Sequence, residues 1–338
     1  MSNFQYTADI LADAFFRSGE NPSNAADYEE QAIRYLNNLY YQICRGGSEL
    51  IPSIHEDWVW LRKPSPGLLA LQAPITTGTA SVVRGDATVT LTVIPVDYIN
   101  TQIAVTYWFF KLQELPEVYR VASHTAPDTT FELDMPYLGP TASGLSYTLF
   151  KLDYDLASDC MRLIAPMRAF QNSGWNSRDD YKIYTCDLDT LEEQYPLSLM
   201  ERGIPDFFSP IGETTAGTKR VRFNRCGGPD RTTVYRIEYE YLYRPTPLSL
   251  PGMSEEPVLP LQFRSILADY LAAYLLGVKN DDRAGSVAQM AAAGLQGMAT
   301  ENRYQTTTAT KNSFRLMPRE SGRRRPGPLR TESGTIIG

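Results

Sequence analysis

The order in which two hydrophobic periodicities follow each other most constrains the fold of this chain. Near the two ends, over residues 25–44 and 258–300, apolar residues recur every three or four positions, which is typical of amphipathic helices. Between them, over residues 76–245, short β-branched and aromatic runs are separated by turn residues, as in a β-rich region. This order predicts a mixed α+β chain.

Capping residues set the expected ends of the helices. Thr7 is expected to cap a first helix, with Asp9 in its first turn and Gly19 at its end. Further along the chain, a strongly apolar helix is expected to end at Gly277, and the apolar period of the last helix fails after Glu301. The remaining residues at the C-terminus are too polar and too rich in Gly and Pro to hold a core alone.

Strand and turn signals fill the middle of the chain. The turn Arg84-Gly85-Asp86 between two β-branched runs predicts a hairpin. Residues 233–243 alternate well, with Tyr235, Ile237, Tyr239, Tyr241 and Tyr243 on one face. Many short strands at this spacing favour an antiparallel β-sandwich. Further strands are expected at 101–110, 117–123, 129–134, 145–152, 160–168 and 219–224, with a short helix at 187–195.

The predicted fold class is therefore α+β. It has a helical bundle core built from the N- and C-terminal segments, an inserted antiparallel β-sandwich domain and an extended C-terminal arm. The predicted boundaries are 1–65 for the N-terminal helical segment, 66–247 for the β-rich domain, 248–305 for the C-terminal helical segment and 306–338 for the basic arm.

The charge is unevenly distributed. The whole chain has a net charge of −7, but residues 311–338 carry seven basic and two acidic side chains, so the remainder has a net charge of −12. A strongly acidic body does not favour tight binding to a phosphate backbone. The arm itself fits three readings: a nucleic-acid or targeting patch, a disordered end, or a segment that becomes ordered only within an assembly.

Motifs of catalytic, metal and cofactor sites are absent from the sequence. There is no phosphate-binding loop, no G-x-G-x-x-G and no G-x-S-x-G, and neither His55 nor His124 has a Cys or His at ligand spacing. The run Asp153-x-Asp155…Asp159 lacks the glycine and glutamate of a calcium-binding EF-hand loop. No apolar stretch reaches the roughly 20 residues of a membrane span. We therefore expect no enzyme activity, no cofactor, no metal and no membrane partner.

Three stretches, taken in order, resemble the head-to-tail adaptor (connector, or head completion) proteins of tailed bacteriophages. The first is the Thr-Gly-rich hairpin over residues 77–90, and the second is Gly203-Ile-Pro-Asp-Phe-Phe208. The third runs from the strand at Tyr239 through a proline-rich return to the helix at 261–276.

The resemblance implies a structural protein of the virion neck, made in the host cytoplasm. It implies a homo-oligomer, in that family a dodecameric ring, that binds the portal ring and the next tail component, a nozzle or tail tube. Such a ring continues the DNA channel, so that double-stranded DNA makes transient, non-specific contact with it as the genome is packaged and ejected.

The resemblance also implies a C-terminal arm that reaches the portal or a neighbouring subunit. Apolar side chains of the arm suit pockets on a partner, and its arginines suit carboxylates at the rim of such pockets. The candidate portal-docking residues are Phe314, Arg315, Leu316, Arg323, Arg324, Arg325, Leu329, Arg330, Ile336 and Ile337.

Two other function classes remain open from the sequence. One is a phage-tail β-sandwich protein that binds a carbohydrate or a partner, with Trp108 and Trp175 as exposed platforms. The other is a peptidoglycan hydrolase built on an adaptor, which requires a carboxylate with a raised pKa in a cleft.

Overall fold

The computed structural model describes residues 4–19, 26–97, 100–113, 115–171, 181–228, 235–249 and 254–316, with the backbone alone at 26–28, 171 and 306–316. The chain divides into two compact units, which we call the helical unit (Met1–Leu61 with Pro245–Gly338) and the β unit (Arg62–Arg244). The described α-helices are α1 (Thr7–Ser18), α2 (Ala26–Cys44), α3 (Leu188–Gln194), α4 (Ser265–Val278) and α5 (Ala284–Leu316).

The N-terminus of α1 differs in detail from the expectation. Tyr6, not Thr7, occupies the cap position, and its backbone N–H donates to the Asp9 carboxylate at 3.0 Å. Thr7 is buried, and its hydroxyl donates to the Glu255 carbonyl at 2.9 Å, so it ties the helix to the C-terminal segment instead. Gly19 ends the helix in the left-handed conformation (φ 71°), as predicted.

Helix α4 is the centre of the helical unit, because α1, α2 and α5 all pack against it. Its apolar residues lie on several sides of the helix, which is typical of a helix that is surrounded by others. A close approach to α5 is possible because residue 294 is a glycine: a Cβ there would lie 3.0 Å from Cγ1 of Ile266. On the side of α2, Tyr35 and Tyr274 stack with ring centroids 4.0 Å apart.

The connector after α2 is packed against α5. Trp58 is fully buried, and its indole N–H donates to the Ile43 carbonyl at 2.5 Å. Asn302 of α5 donates to the buried Glu56 carboxylate at 2.8 Å and accepts from the Val59 backbone N–H at 2.9 Å. These contacts fix the position of the last helix against the N-terminal half of the unit.

The β unit contains two seven-stranded sheets. Sheet one has the strand order β1-β14-β10-β11-β12-β13-β9, and sheet two has the order β7-β2-β3-β6-β5-β4-β8. All described pairs are antiparallel except β11 with β12. The strands are β1 (Gly67–Ala70), β2 (Ala80–Val82), β3 (Thr88–Leu91), β4 (Phe109–Leu112), β5 (Val118–Ser123), β6 (Thr130–Leu133), β7 (Ala142–Leu145), β8 (Tyr147–Phe150), β9 (Asp153–Asp155), β10 (Cys160–Gln171), β11 (Tyr181–Thr185), β12 (Phe207–Glu213), β13 (Lys219–Phe223) and β14 (Tyr235–Tyr243).

Each sheet curls around a core of its own. In sheet two, Leu149 of the edge strand β8 exchanges backbone hydrogen bonds with Ile75 (2.8 and 2.9 Å), a residue that precedes β2 in the chain. Its interior contains Trp108, Phe110 and Phe131. The interior of sheet one contains a separate cluster, including Phe208, Phe223 and the buried face of β14.

The fold-class prediction is therefore wrong. A β-sandwich places one core between two facing sheets, whereas here each of two nearly closed sheets has a core of its own. A smaller third cluster contains Phe109, Phe150, Leu152 and Cys226. The helices also do not form a bundle core for the whole chain, more than half of which belongs to the β unit. Alternating burial could not distinguish these arrangements, because a sandwich and a closed sheet give the same period of two.

Local elements of the β unit match the sequence patterns more closely. The hairpin is confirmed: β2 pairs with β3 from Ala80↔Leu91 to Val82↔Val89, and Gly85 at its tip has φ 84°. The residues predicted to share one face of β14 are Tyr235, Ile237, Tyr239, Tyr241 and Tyr243; the first four are buried and Tyr243 is half-buried. The short helix predicted at 187–195 is α3.

Candidate functional site

The residues proposed for the docking arm are not brought together by the described structure. Phe314, Arg315 and Leu316 lie in the last turn of α5, where the backbone alone is described. Residues 306–316 are thus helical, where the sequence predicted an extended arm. Arg323, Arg324, Arg325, Leu329, Arg330, Ile336 and Ile337 lie outside the described residues.

The two histidines differ in their exposure to solvent. The ring of His124 is buried in sheet two, where Nδ1 accepts from the Val105 backbone N–H at 3.1 Å. Its Nε2 lies 3.0 Å from the Asp128 carbonyl oxygen, so that nitrogen carries the proton and donates. Both ring nitrogens therefore have structural partners. His55 is exposed on the connector of the helical unit.

The four cysteines are free thiols. Burial raises the pKa of Cys160 to about 11 and that of Cys226 to about 12, and it raises the pKa of Cys44 as well. Thiols of this kind are poor nucleophiles, because the thiolate is the reactive form. Within the described ranges, no three His, Cys, Asp or Glu side chains are placed to hold a metal ion.

The carboxylates that the sequence analysis considered for calcium are occupied by cationic side chains. Asp159 accepts from Lys63 at 2.7 Å and from the Tyr241 hydroxyl at 2.9 Å. Asp155 accepts from Arg220 at 2.7 Å. Asp153, the most buried of the three, belongs to a larger network.

That network, which we call the inter-sheet cluster, joins the two sheets of the β unit through Asp153 on β9. The Asp153 carboxylate is fully buried and accepts two hydrogen bonds from Arg222 on β13, at 2.6 and 3.0 Å. Arg120 on β5 of sheet two approaches the same carboxylate at 3.3 Å. Glu192 of α3 accepts from the other side of Arg222 at 2.6 Å.

Electrostatics favour the charged form of Arg222. Burial by itself lowers the pKa of Arg222. The hydrogen bonds to Asp153 and Glu192 and the negative charges of these two residues outweigh burial, so the pKa of Arg222 is raised above its ordinary value. A buried charge without partners is very costly. Arg222 therefore remains a cation that holds β13, β9 and α3 together.

Aromatic rings cover the arginines of the inter-sheet cluster. Two guanidinium groups lie close to the ring of Tyr107, at 5.3 Å (Arg120) and 5.0 Å (Arg220) from the ring centroid. Tyr107 is 51% exposed, and its backbone has φ 66°, a left-handed conformation that is costly for a bulky residue. The Arg222 guanidinium lies 5.2 Å from the ring centroid of Phe109.

The sequence analysis missed this cluster, although one signal could have indicated part of it. Arg220-x-Arg222 and Asp153-x-Asp155 have the same spacing, and in the structure they pair across β13 and β9 as Arg220↔Asp155 and Arg222↔Asp153. Opposite charges at matched positions favour cross-strand pairing. Nothing local marks Tyr107, because its partners come from strands that are distant in the chain.

The platform proposed for carbohydrate binding does not exist at Trp108. That side chain is 3% exposed and packs inside sheet two, so it cannot stack on a ligand at the surface. Trp175 lies outside the described residues.

Two clefts of the β unit differ in their lining. A cleft of about 300 Å³ in sheet one is lined by Glu238 and Glu240 together with Lys63, Arg168 and Lys182. Burial raises the pKa of Asp269, a residue of α4 in the helical unit, where it pairs with Arg17 of α1. A second cleft, of about 400 Å³, has a largely apolar lining around Phe208 and Pro210.

Comparison with known proteins adds no relative: neither a protein-family model nor a curated protein sequence matches the chain. None of the helices in the described part of the chain is long and apolar enough to cross a membrane.

Proposed function

We propose that this chain is a structural protein of a bacteriophage virion that forms the head-to-tail adaptor ring between portal and tail. The observation that carries the proposal is that both ends of the chain build the helical unit. Its helices come from both ends of the chain, since α1 and α2 pack on α4 and α4 packs on α5. The stretches that resemble adaptors run along the chain from the Thr-Gly-rich hairpin of β2 and β3, in the β unit, to α4, in the helical unit.

Exposed apolar side chains on the helical unit support self-association. Phe16 on α1 is 82% exposed, Val278 on α4 60% and Met290 on α5 64%. Single exposed apolar residues are common, but large aromatic ones on a rigid helix are typical of interfaces between subunits. In the proposed ring, these helices contact the neighbouring subunits.

The charge distribution suits a DNA conduit. A net charge of −12 outside residues 311–338 weakens the attraction between the body and the phosphate backbone, so that DNA passes without tight binding. The C-terminal residues dock on the portal ring or on a neighbouring subunit in this proposal: the basic Arg323–Arg325 and Arg330, and the apolar Leu329, Ile336 and Ile337. The tail component binds the opposite side of the ring.

Assembly of the purified full-length chain tests the proposal. The chain is mixed with its portal ring, and the complexes are counted by mass photometry and viewed by electron microscopy. A closed ring on the portal is expected, and Phe16→Glu should prevent its closure without lowering the melting temperature, because Phe16 packs little against its own chain. Leu138→Glu, which changes a residue 68% exposed in the β unit, is the matched control and should assemble normally. Monomers that never bind the portal would contradict the proposal.

A further inference from the structure

Sheet one contains a gap between β10 and β12 that is as wide as one strand. Strand β11 lies between these two strands, because it pairs with residues 167–169 of β10 and with residues 207–208 of β12. It ends at Thr185, whereas β10 extends past this point to Cys160 and β12 to Glu213, and a cleft of about 400 Å³ lies between them. We call this gap the strand slot, with residues 161–165 of β10 and 208–213 of β12 on its two sides.

The backbone of β10 points hydrogen-bonding groups into the strand slot at Leu163. On the far side of β14, the Lys63 N–H donates to the Tyr241 carbonyl at 3.0 Å, so the main-chain groups of Tyr241 point away from β10. Leu163 lies directly opposite Tyr241, and partners in an antiparallel pair point their main-chain groups either toward each other or away from each other. The N–H and C=O of Leu163 therefore face the slot, and within the described ranges neither has a hydrogen-bond partner.

The backbone of β12 offers an acceptor at Pro210 on the opposite side of the slot. The Cys186 N–H donates to the Phe208 carbonyl at 2.9 Å, so the main-chain groups of Phe208 point toward β11. Two residues further on, the carbonyl of Pro210 points in the same direction, into the slot. The Ser209 hydroxyl contacts this carbonyl at 3.4 Å, and a second lone pair of the oxygen remains for another donor. Proline is also typical of a free strand edge, because it has no N–H to donate.

Apolar side chains of the sheet-one core form the floor of the strand slot. Leu156, Phe208 and Val221 are buried there, whereas Met161 and Leu163 are half-buried. Part of this core is thus accessible at a place where main-chain groups are unpaired. An extended peptide complements both features, because a strand presents main-chain groups at its edges and every second side chain on one face.

The charge at one end of the strand slot indicates which peptide fits. Among the described residues that line the slot, Glu213 is the only carboxylate, and it pairs with Lys219 at 2.8 Å. At the turn between these two residues, the Arg244 guanidinium donates to the Gly217 carbonyl at 3.0 Å and has no carboxylate partner in the described part of the chain. An acidic side chain is therefore favoured over a basic one at this end.

We propose that the strand slot binds an extended segment of a partner protein, which adds to sheet one as a further strand. The segment runs antiparallel to β10 over about five residues. Its main chain exchanges hydrogen bonds with Leu163 and donates to the Pro210 carbonyl. Its inward side chains are apolar and cover the floor of the slot, and an acidic side chain pairs with Arg244. The slot belongs to the β unit, and the proposal does not depend on the adaptor function.

Selection from a library of random displayed peptides tests the slot. Peptides are selected on the full-length chain and, in parallel, on the Leu163→Glu variant, which places a charge in the apolar slot. Peptides recovered on the unchanged chain alone should carry β-branched or aromatic residues at alternate positions, together with Asp or Glu. The best of them, made synthetically, should bind Leu163→Glu about tenfold more weakly. Leu138→Glu, at an exposed position outside the slot, is the matched control and should bind the peptide normally.

Three readouts on the unchanged chain do not depend on the folding of a variant. Alanine substitution along the peptide should weaken binding at every second position, as expected of a strand with one buried face. N-methylation of the peptide residue opposite Leu163 should weaken binding about tenfold, because it removes a main-chain hydrogen bond. Hydrogen exchange of the Leu163 amide should slow when the peptide is bound.

Several results would overturn the proposal. They are equal affinity for the unchanged chain and a folded Leu163→Glu variant, sensitivity to alanine at about every third or fourth position as in a helix, unchanged exchange of the Leu163 amide, and recovery of basic peptides or of none. Self-association of the chain that is lost in Leu163→Glu would also overturn it, in favour of a second copy. Binding of a synthetic 317–338 peptide that is lost in Leu163→Glu would overturn it in favour of the chain's own segment.

Discussion

Removal of the Asp153 carboxylate should destabilise the β unit strongly. In Asp153→Ala, Arg222 loses two hydrogen bonds of 2.6 and 3.0 Å, and Arg120 loses its approach at 3.3 Å. Arg222 is only 11% exposed and would keep Glu192 as its remaining ion-pair partner. Breaking a buried pair from one side costs about 3–5 kcal/mol, because a charge is left buried without compensation. In a unit of this size, that corresponds to a fall of about 6–20 °C in melting temperature.

Differential scanning calorimetry and near-UV circular dichroism would measure this loss, since the aromatic rings of both sheets report on tertiary packing. Asp155→Ala is the matched control, because it removes the neighbouring carboxylate on the same strand. The Asp155 side chain pairs with Arg220 and is 56% exposed. Such an exposed pair contributes about 0–1 kcal/mol. Equal losses from the two substitutions, or an Asp153→Ala protein within about 1 kcal/mol of the unchanged chain, would refute the view that this cluster joins the sheets.

Three further changes test other parts of the account. Gly294→Ala should destabilise the helical unit by about 1–3 kcal/mol through overpacking against Ile266, whereas Gly297→Ala, where a Cβ meets open space, should stabilise α5 by about 0.5–1 kcal/mol in denaturant titrations. The pKa of Asp269 is raised in the folded state, so protonated Asp269 stabilises the fold at acid pH, and this stabilisation is lost as the pH rises through the pKa of the folded state. In urea titrations, the stability of Asp269→Asn relative to the unchanged chain should therefore increase from acid to neutral pH. Deleting residues 317–338 should leave the melting temperature unchanged but weaken portal attachment in pull-down assays. Changing Arg323, Arg324 and Arg325 to Gln should weaken attachment less, and only at low salt. Unfolding of the deletion variant, or attachment that survives the deletion, would contradict the proposed arm.

The sequence predicted those elements whose signals are local. Gly19 ends α1, the turn at Gly85 joins β2 and β3, and the alternating tyrosines of β14 face the core, because each depends on a few neighbouring residues. Helix α5 was underestimated for the same reason. Its apolar period fails after Glu301, yet no proline or glycine interrupts residues 302–316, and the helix continues to Leu316.

The closure of the sheets and the inter-sheet cluster could not be predicted in this way. Alternation shows which residues face inward, but it does not show whether the inner face meets a second sheet or its own far edge. In sheet two the edge strand β8 pairs with Ile75, which lies far from it in the sequence. Likewise, Tyr107, Arg120 and Arg220 meet through long-range strand pairing, so no spacing in the sequence indicates their contact.

The most direct test of the central proposal is whether this chain is found in the neck of an intact phage virion. Electron cryo-microscopy of the portal vertex, with the chain identified by density fitting or by a fused tag, would give its position. The adaptor proposal predicts a ring of copies directly beneath the portal that surrounds the DNA channel. Finding the chain on tail fibres or on the capsid shell, and not in the neck, would contradict it.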